Sequence, residues 1–312
     1  MTINLTNPIF HDADAARAHL ESIRWPNGPV CPHCGETENV TRLKGKSTRP
    51  GVILCNTCEQ PFTVTVASVM ERSKIPLTKW VLGFHLMAAS KKGISSHQLH
   101  RMLGITYKSA WFLSMRIREA MGLAPETDDT GSMGGEGKKV ESDETFVGGK
   151  KKNVHNGKPE PKKTPVVALV ERGGKLKAKC VPNVDARNIR DVLKAVDKKT
   201  HLMTDDSLVY YWVGRDFTTH DAVNHSKDEY VRGEAHVNTA ESFFALLKRG
   251  VYGNFHAVSE KHLQRYVNEA AFKWNNRSKF GIEDSERATN AIKGAQGKRL
   301  MYRQPDSKVR AG

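Results

Sequence analysis

The sequence has no apolar run that approaches the roughly 20 residues needed to cross a bilayer. Its longest such runs, Trp80 to Ala89 among them, are short, and that one carries His85. The N-terminus lacks the basic-then-apolar pattern of a secretion signal. Cysteines number five, and without a secretion signal a disulfide framework is not expected. There are no internal repeats. Acidic side chains are in deficit, 34 Asp and Glu against 49 Lys and Arg, for a net charge of +15. These absences exclude a membrane-spanning protein, a disulfide-stapled secreted module and a repeat array, and the expectation is a cytoplasmic protein.

What is present fits a soluble globular chain. Its 312 residues are 38% hydrophobic, with a mean hydropathy of −0.54. That length allows one large core with smaller modules beside it. The basic excess favours a polyanion, because each phosphate neutralised releases bound counterions.

Four of the cysteines form two pairs, CPHC at 31–34 and CNTC at 55–58, with twenty residues between. Two such knuckles offer Cys31, Cys34, Cys55 and Cys58 as four thiolates for tetrahedral zinc. The intervening VTRL and GVILC read as strands, which outlines a zinc ribbon, and PFTVTVAS reads as a closing strand. His33 lies inside a knuckle but four Cys already complete the shell. The ribbon is either structural or a docking module; the sequence does not separate the two. Cys180 reads as a small core residue.

Residues before the ribbon, HDADAARAHLESIRW, read as a helical lead-in. Helices are expected over 76–121. SSHQLHRMLG stops at Gly104 and a second helix starts from a Thr106 cap. The pair resembles a helix-turn-helix, whose recognition helix would present Tyr107, Lys108, Trp111, Arg116 and Arg118 to DNA, with Ile105 and Leu113 inward. A plain helical connector is the competing reading.

The segment 122–138 carries five glycines and almost no apolar content, so it reads as a linker. Beyond it the pattern changes. KVESDETFVGG alternates like a strand. PVVALVE and KLKAKCVPN flank a turn at Arg172-Gly173-Gly174. DARNIRDVLKAVDKK reads as a helix capped by Asp185, HLMTDD as a strand, SLVYYWVG as a helix and DAVNHS as a further strand. Helices close the core at 238–250 and 259–274. This is a mixed α/β domain. The lysine-rich stretch 150–165, led by Lys150, Lys151 and Lys152, reads as a solvated loop or an arm on phosphate. The last 25 or so residues read as a loosely held basic tail.

Within HVNTAESFFALLKRGVYGNFH, Glu241 and Lys248 stand seven residues apart, nearly two turns, and share one helix face. Phe243, Leu246 and Leu247 fall opposite. Asp143 sits in mid-strand, where a lone charge is costly to bury unless paired or bound to a cation. Glu141 shares its face and Glu144 lies on the other. Asp205 ends a strand, where α/β folds expose site residues, and Asp206 adjoins it. One mid-strand Asp, one strand-end Asp and one helix Glu fit two Mg²⁺ ions, with Mn²⁺ as a substitute. Lys248 would hold a DNA phosphate nearby.

Taken together, CPHC…CNTC, VESDETFVGGK, the Thr-Asp of HLMTDD, AVNHS, HVNTAESFFALLKRGVYGNFH and KHLQRYVNEAAFKWNNR resemble the bacterial insertion-sequence transposases of the zinc-ribbon DDE type, the ISXO2-like group, over about residues 15–277. The resemblance implies a ribonuclease-H-like core with Mg²⁺-dependent DNA cleavage and strand transfer. Asp143, Asp205 and Glu241 match its three acids and Lys248 its following lysine. His225, His236 and Asn238 match motif residues around the site. Family members often have a small or polar residue at the position of Asp206.

The implied organisation is a lead-in (1–30), a zinc ribbon (31–70), a helix-turn-helix-like DNA-binding region (71–121), a linker (122–139), a ribonuclease-H-like catalytic domain (140–277) and a basic tail (278–312). The implied partners are double-stranded DNA, as terminal inverted repeats and target, and further copies of the chain on that DNA, in the nucleoid. Two rivals stand beside it: a transposase-derived protein that binds DNA without cutting, and a metal-dependent nuclease without strand transfer.

Overall fold

The computed structural model describes residues 4–122, 133–149, 162–223, 234 and 236–301. The chain divides into two units. One comprises residues 1–122 with 282–312, the other residues 123–281.

In the first unit, helix α1 (Ala13–Arg24) starts at Asp12, whose side chain accepts from Ala15 N at 2.6 Å. A three-stranded antiparallel sheet follows, β1 (Val40–Arg42), β2 (Ile53–Cys55) and β3 (Pro61–Phe62), in the order β1-β2-β3. PFTVTVAS does not continue as a strand. Beyond Phe62 the backbone turns, because the buried Arg24 guanidinium takes the carbonyls of Val64 and Val66. Those oxygens are thereby withdrawn from any strand partner.

Helices α2 (Leu77–Ala89), α3 (Ser96–Leu103) and α4 (Tyr107–Met121) complete the run. Ser95 caps α3, which ends at Gly104 with φ 62°, and Thr106 caps α4. This left-handed stop suits glycine. Gly83 lets α2 and α4 approach: a Cβ there would stand 2.9 Å from Leu113 Cδ2.

The second unit is built on one mixed sheet. Its strands are β4 (Lys139–Gly148), β5 (Lys163–Glu171), β6 (Leu176–Cys180), β7 (His201–Asp205) and β8 (Thr219–Val223), in the order β6-β5-β4-β7-β8. The β4/β5 and β5/β6 pairs are antiparallel, whereas β4/β7 and β7/β8 are parallel. Helices α5 (Ala186–Leu193) and α6 (Leu208–Gly214) pack on one face against Val140, Val167, Leu169 and Leu202. Helices α7 (Asn238–Gly250) and α8 (Glu260–Asn275) pack on the other against Val147, Val166, Ala168 and Val170. A sheet buried on both faces reads as the near-continuous apolar run of β5.

The linker reading is corrected at its far end, while residues 123–132 lie outside the described residues. Met133 is buried beside Val196, with Met133 N donating to Ala195 O at 2.8 Å. Gly134 needs its glycine, with φ 81° and a would-be Cβ 2.1 Å from Thr200 Oγ1. The tail reading is corrected more sharply. After the second unit the chain returns to the first as helix α9 (Asp284–Lys293), which buries Ala288, Ala291 and Ile292. Gly297 N donates to Ala67 O at 2.9 Å. Two alanines pack here beside Ile292 and Leu300, so the low count of large apolar groups was misleading.

Candidate active site

In the first unit, the four knuckle cysteines converge. Cys31 Sγ lies 3.7 Å from Cys58 Sγ, and Cys34 Sγ lies 3.5 Å from Cys55 Sγ. All four sulfurs lie within 4.8 Å of one another. Zinc–sulfur bonds of about 2.3 Å at tetrahedral angles put sulfurs about 3.8 Å apart, so the donor set fits structural zinc.

The helical region only partly presents the expected DNA-facing side chains. Tyr107 and Lys108, in the first turn of α4, are exposed, and Tyr107 stacks on His97 with centroids 4.2 Å apart. Trp111 is half-buried. Arg116 and Arg118 are corrected, because both are buried. Arg116 donates to Leu300 O at 3.2 Å and Glu71 O at 3.0 Å, and stacks on Phe112. Arg118 donates to Ser114 Oγ at 3.0 Å. The returning C-terminal segment covers the side of α4 that periodicity alone would expose. Lys150, Lys151, Lys152 and His225 lie outside the described residues.

In the second unit the alternation of β4 decides which acids can meet. Val140 packs on the α5/α6 face and Val147 on the α7/α8 face. Successive strand residues alternate, so Glu141 and Asp143 face α7, while Ser142 and Glu144 face α6. Ser142 Oγ accordingly donates to Tyr210 OH at 3.2 Å. In the parallel β4/β7 pair Glu141 stands opposite Met203. Two residues further along that register, Asp205 comes alongside Asp143. Asp205 ends β7 and its Oδ1 accepts from Ser207 N at 3.2 Å. Glu241 enters from the first turn of α7, exposed, with Lys248 half-buried two turns on. Phe243, Phe244 and Leu247 are buried beneath them.

These acids sense one another. Burial pushes the Asp143 carboxyl up to about 7; a hydrogen bond from Glu144 N opposes this, and the charges of Glu144, Asp205 and Glu241 add to it. Burial first, then the charge of Asp205, also raises Glu144. A crowded, partly desolvated carboxylate set is one that a cation would relieve. Among the described residues only the cysteine group closes within 4.8 Å. Asp143, Asp205 and Glu241 do not form such a close group. Asp206 is exposed and is not among the charges acting on Asp143.

Sequence reasoning gave no role to Glu141. Its carboxylate is fully buried. Oε1 accepts from Arg172 Nε at 2.7 Å and Thr239 Oγ1 at 2.9 Å. Oε2 accepts from the Thr239 and Ala240 backbone N–H groups at 2.8 and 3.1 Å. His236 Nδ1 lies 3.3 Å from Oε1, and Asn238 is the exposed first residue of α7. The available signal was a second acid on the Asp143 face of a strand with no obvious cation nearby. The turn residue Arg172 is that cation.

The architecture is therefore a mixed α/β domain with a carboxylate cluster, in a chain that also holds a four-cysteine ribbon. Residues 134–275 match the ISXO2-like transposase domain, and residues 11–60 match the transposase zinc-ribbon domain. Over these two stretches the chain is similar to the insertion-sequence transposases of the ISXO2-like, zinc-ribbon type. A relative from Halobacterium salinarum, named "Uncharacterized protein in transposable element ISH50", is 28% identical over 266 residues, covering 80% of this chain and 86% of the relative. Among the described residues no helix is long and apolar enough to cross a membrane.

Proposed function

We propose that the protein is a DNA transposase that binds the terminal inverted repeats of an insertion sequence, cleaves at the element ends and joins the freed 3′-hydroxyls to target DNA. The observation that carries this reading is the meeting of Asp143, Asp205 and Glu241 from a central strand, a strand end and a helix, inside the transposase-domain match. The sheet order β6-β5-β4-β7-β8, with its antiparallel half followed by its parallel half, supports a ribonuclease-H-like core.

In this reading Asp143, Asp205 and Glu241 hold two Mg²⁺ ions, or Mn²⁺ in their place. Bound there, the ions would activate a water or a 3′-hydroxyl and stabilise the leaving oxygen. The site's own residues do the rest. The three carboxylates supply hard oxygen donors and leave room for substrate oxygens. Lys248, on the face of Glu241, holds a backbone phosphate as a point charge. Tyr107 and Lys108 at the start of α4, with the zinc ribbon, contact the inverted repeat. The net charge of +15 supplies the non-specific attraction. Copies of the chain act together on the two ends.

The test is an end-containing labelled duplex with Mg²⁺ and an acceptor plasmid. Cleavage plus joined product supports the transposase. Cleavage without joining supports a nuclease, and binding without cleavage supports a DNA-binding derivative.

A further inference from the structure

Helix α7 carries Glu241 but does not cap itself. Its N-cap position is Val237, with no side-chain hydrogen bond to the helix. Helices commonly satisfy their first N–H groups with a Ser, Thr, Asp or Asn beside them in sequence. Here the acceptor is Glu141, which takes the Thr239 and Ala240 N–H groups from a strand some hundred residues earlier. The carboxylate is fully buried. Such burial is tolerated only with a charged partner and nearly complete hydrogen bonding, and Arg172 with Thr239 Oγ1 provides both.

Arg172 does more than neutralise. Its Nη1 donates to Glu234 O at 2.8 Å and its Nη2 to His236 O at 3.0 Å, which fixes the segment entering α7. Its own backbone N donates to Lys139 O at 3.0 Å, on β4. The start of α7 is thus tied to β4 from two sides. Glu141 lies two residues from Asp143 on the same strand face, and Ala240 adjoins Glu241. Between the two acids run only a short piece of strand, one carboxylate and one helical residue.

We propose that Glu141 is a positioning residue, which by capping α7 across the sheet sets where Glu241 stands relative to Asp143. This rests on the reading of Asp143 and Glu241 as metal-holding acids. A carboxylate serving only folding would leave ion affinity and turnover unchanged in any variant that still folds. A positioning carboxylate would not.

The experiment uses the full chain, zinc-loaded, as wild type, Glu141→Gln, Thr239→Val and Asp143→Ala. Mn²⁺ binding to the DNA-free protein is followed by electron paramagnetic resonance, and end-DNA binding and cleavage are measured in parallel. Gln keeps the size of Glu141 but opposes an amide to N–H donors. Glu141→Gln is expected to fold, to bind end DNA within about twofold of wild type, and to lose roughly 10- to 100-fold in Mn²⁺ affinity or kcat, the usual scale for groups that orient metal ligands. Excess Mn²⁺ should restore part of the rate. Thr239→Val removes one hydroxyl bond and should give a smaller loss in the same direction.

A folded Glu141→Gln with wild-type Mn²⁺ affinity and kcat overturns the proposal while the transposase reading stands. If Glu141→Gln fails to fold, wild-type behaviour of Thr239→Val overturns it. If wild type shows no Mg²⁺-dependent cleavage, the transposase reading fails, and the Mn²⁺ titration still decides: an affinity drop in Glu141→Gln supports positioning, whereas equal affinity or no Mn²⁺ bound by wild type overturns it.

Discussion

Asp143→Asn should stabilise the divalent-free protein at alkaline pH while abolishing turnover. In the fold, burial and the neighbouring acids hold the Asp143 carboxyl up to about 7, against 3.8 for an unperturbed group. The folded chain therefore binds this proton more tightly than the unfolded chain. Below pH 3.8 both states are protonated and no penalty exists. Between 3.8 and about 7 the unfolded state ionises first, so stability falls as pH rises, and above about 7 the whole penalty is present. At about 1.36 kcal/mol per unit, the ceiling is about 4 kcal/mol. Solvent access to a half-buried group and the cost of a buried amide reduce that, so a gain of about 1–3 kcal/mol is expected for the variant at pH 8. Asn keeps an acceptor for Glu144 N, so the local strand should hold. The assay is thermal unfolding of zinc-loaded protein in metal-stripped buffer at pH 5 and pH 8. About 1–3 kcal/mol corresponds to a Tm rise of very roughly 2–12 °C at pH 8 for a domain of this size, with a rise about two-fifths as large at pH 5. Adding Mg²⁺ should raise wild type towards the variant and leave the variant unmoved. Equal pH slopes for both proteins would refute the reasoning.

Removing residues 282–312 should open the first unit and spare the sheet. Buried Ile292 and Leu300 alone are worth about 3–6 kcal/mol, and Lys298, which donates to the Ala120 and Gly122 carbonyls at the end of α4, would go with them. Limited proteolysis should then cut within 77–121 first. Cys34→Ser should lower bound zinc below one per chain and speed hydrogen exchange over 31–62, while leaving exchange in the sheet unchanged. Arg116→Ala should cost about 1–3 kcal/mol in stability, because two carbonyls lose their donor, without changing the salt dependence of DNA binding. Lys108→Ala should do the reverse, reducing the slope of log K against log salt by about one.

Local signals carried much of the architecture. Asp185 and Thr106 are caps in the structure as their side chains foretold. The helix read at 238–250 is α7, and the Arg172-Gly173-Gly174 turn joins two antiparallel strands. Alternation along β4 already separated Glu141 and Asp143 from Glu144. The failures share a physical cause: each depends on a distant partner. PFTVTVAS alternates like a strand, yet its carbonyls go to Arg24. Arg116 and Arg118 fall where a recognition helix would expose them, but α9 and the segment after it return to cover α4. Glu141 looked like a neighbour of the site; only the fold brings Thr239 and Ala240 to its oxygens.

The most direct test of the central claim compares wild type with Asp143→Ala, Asp205→Ala, Asp206→Ala and Glu241→Ala for joined product from element-end DNA, an acceptor plasmid and Mg²⁺. The account predicts joined product from wild type and Asp206→Ala, and none from the other three although they still fold and bind the ends. Full activity in Asp205→Ala with loss in Asp206→Ala would move the second ligand by one residue, and wild-type behaviour in all four would contradict the site.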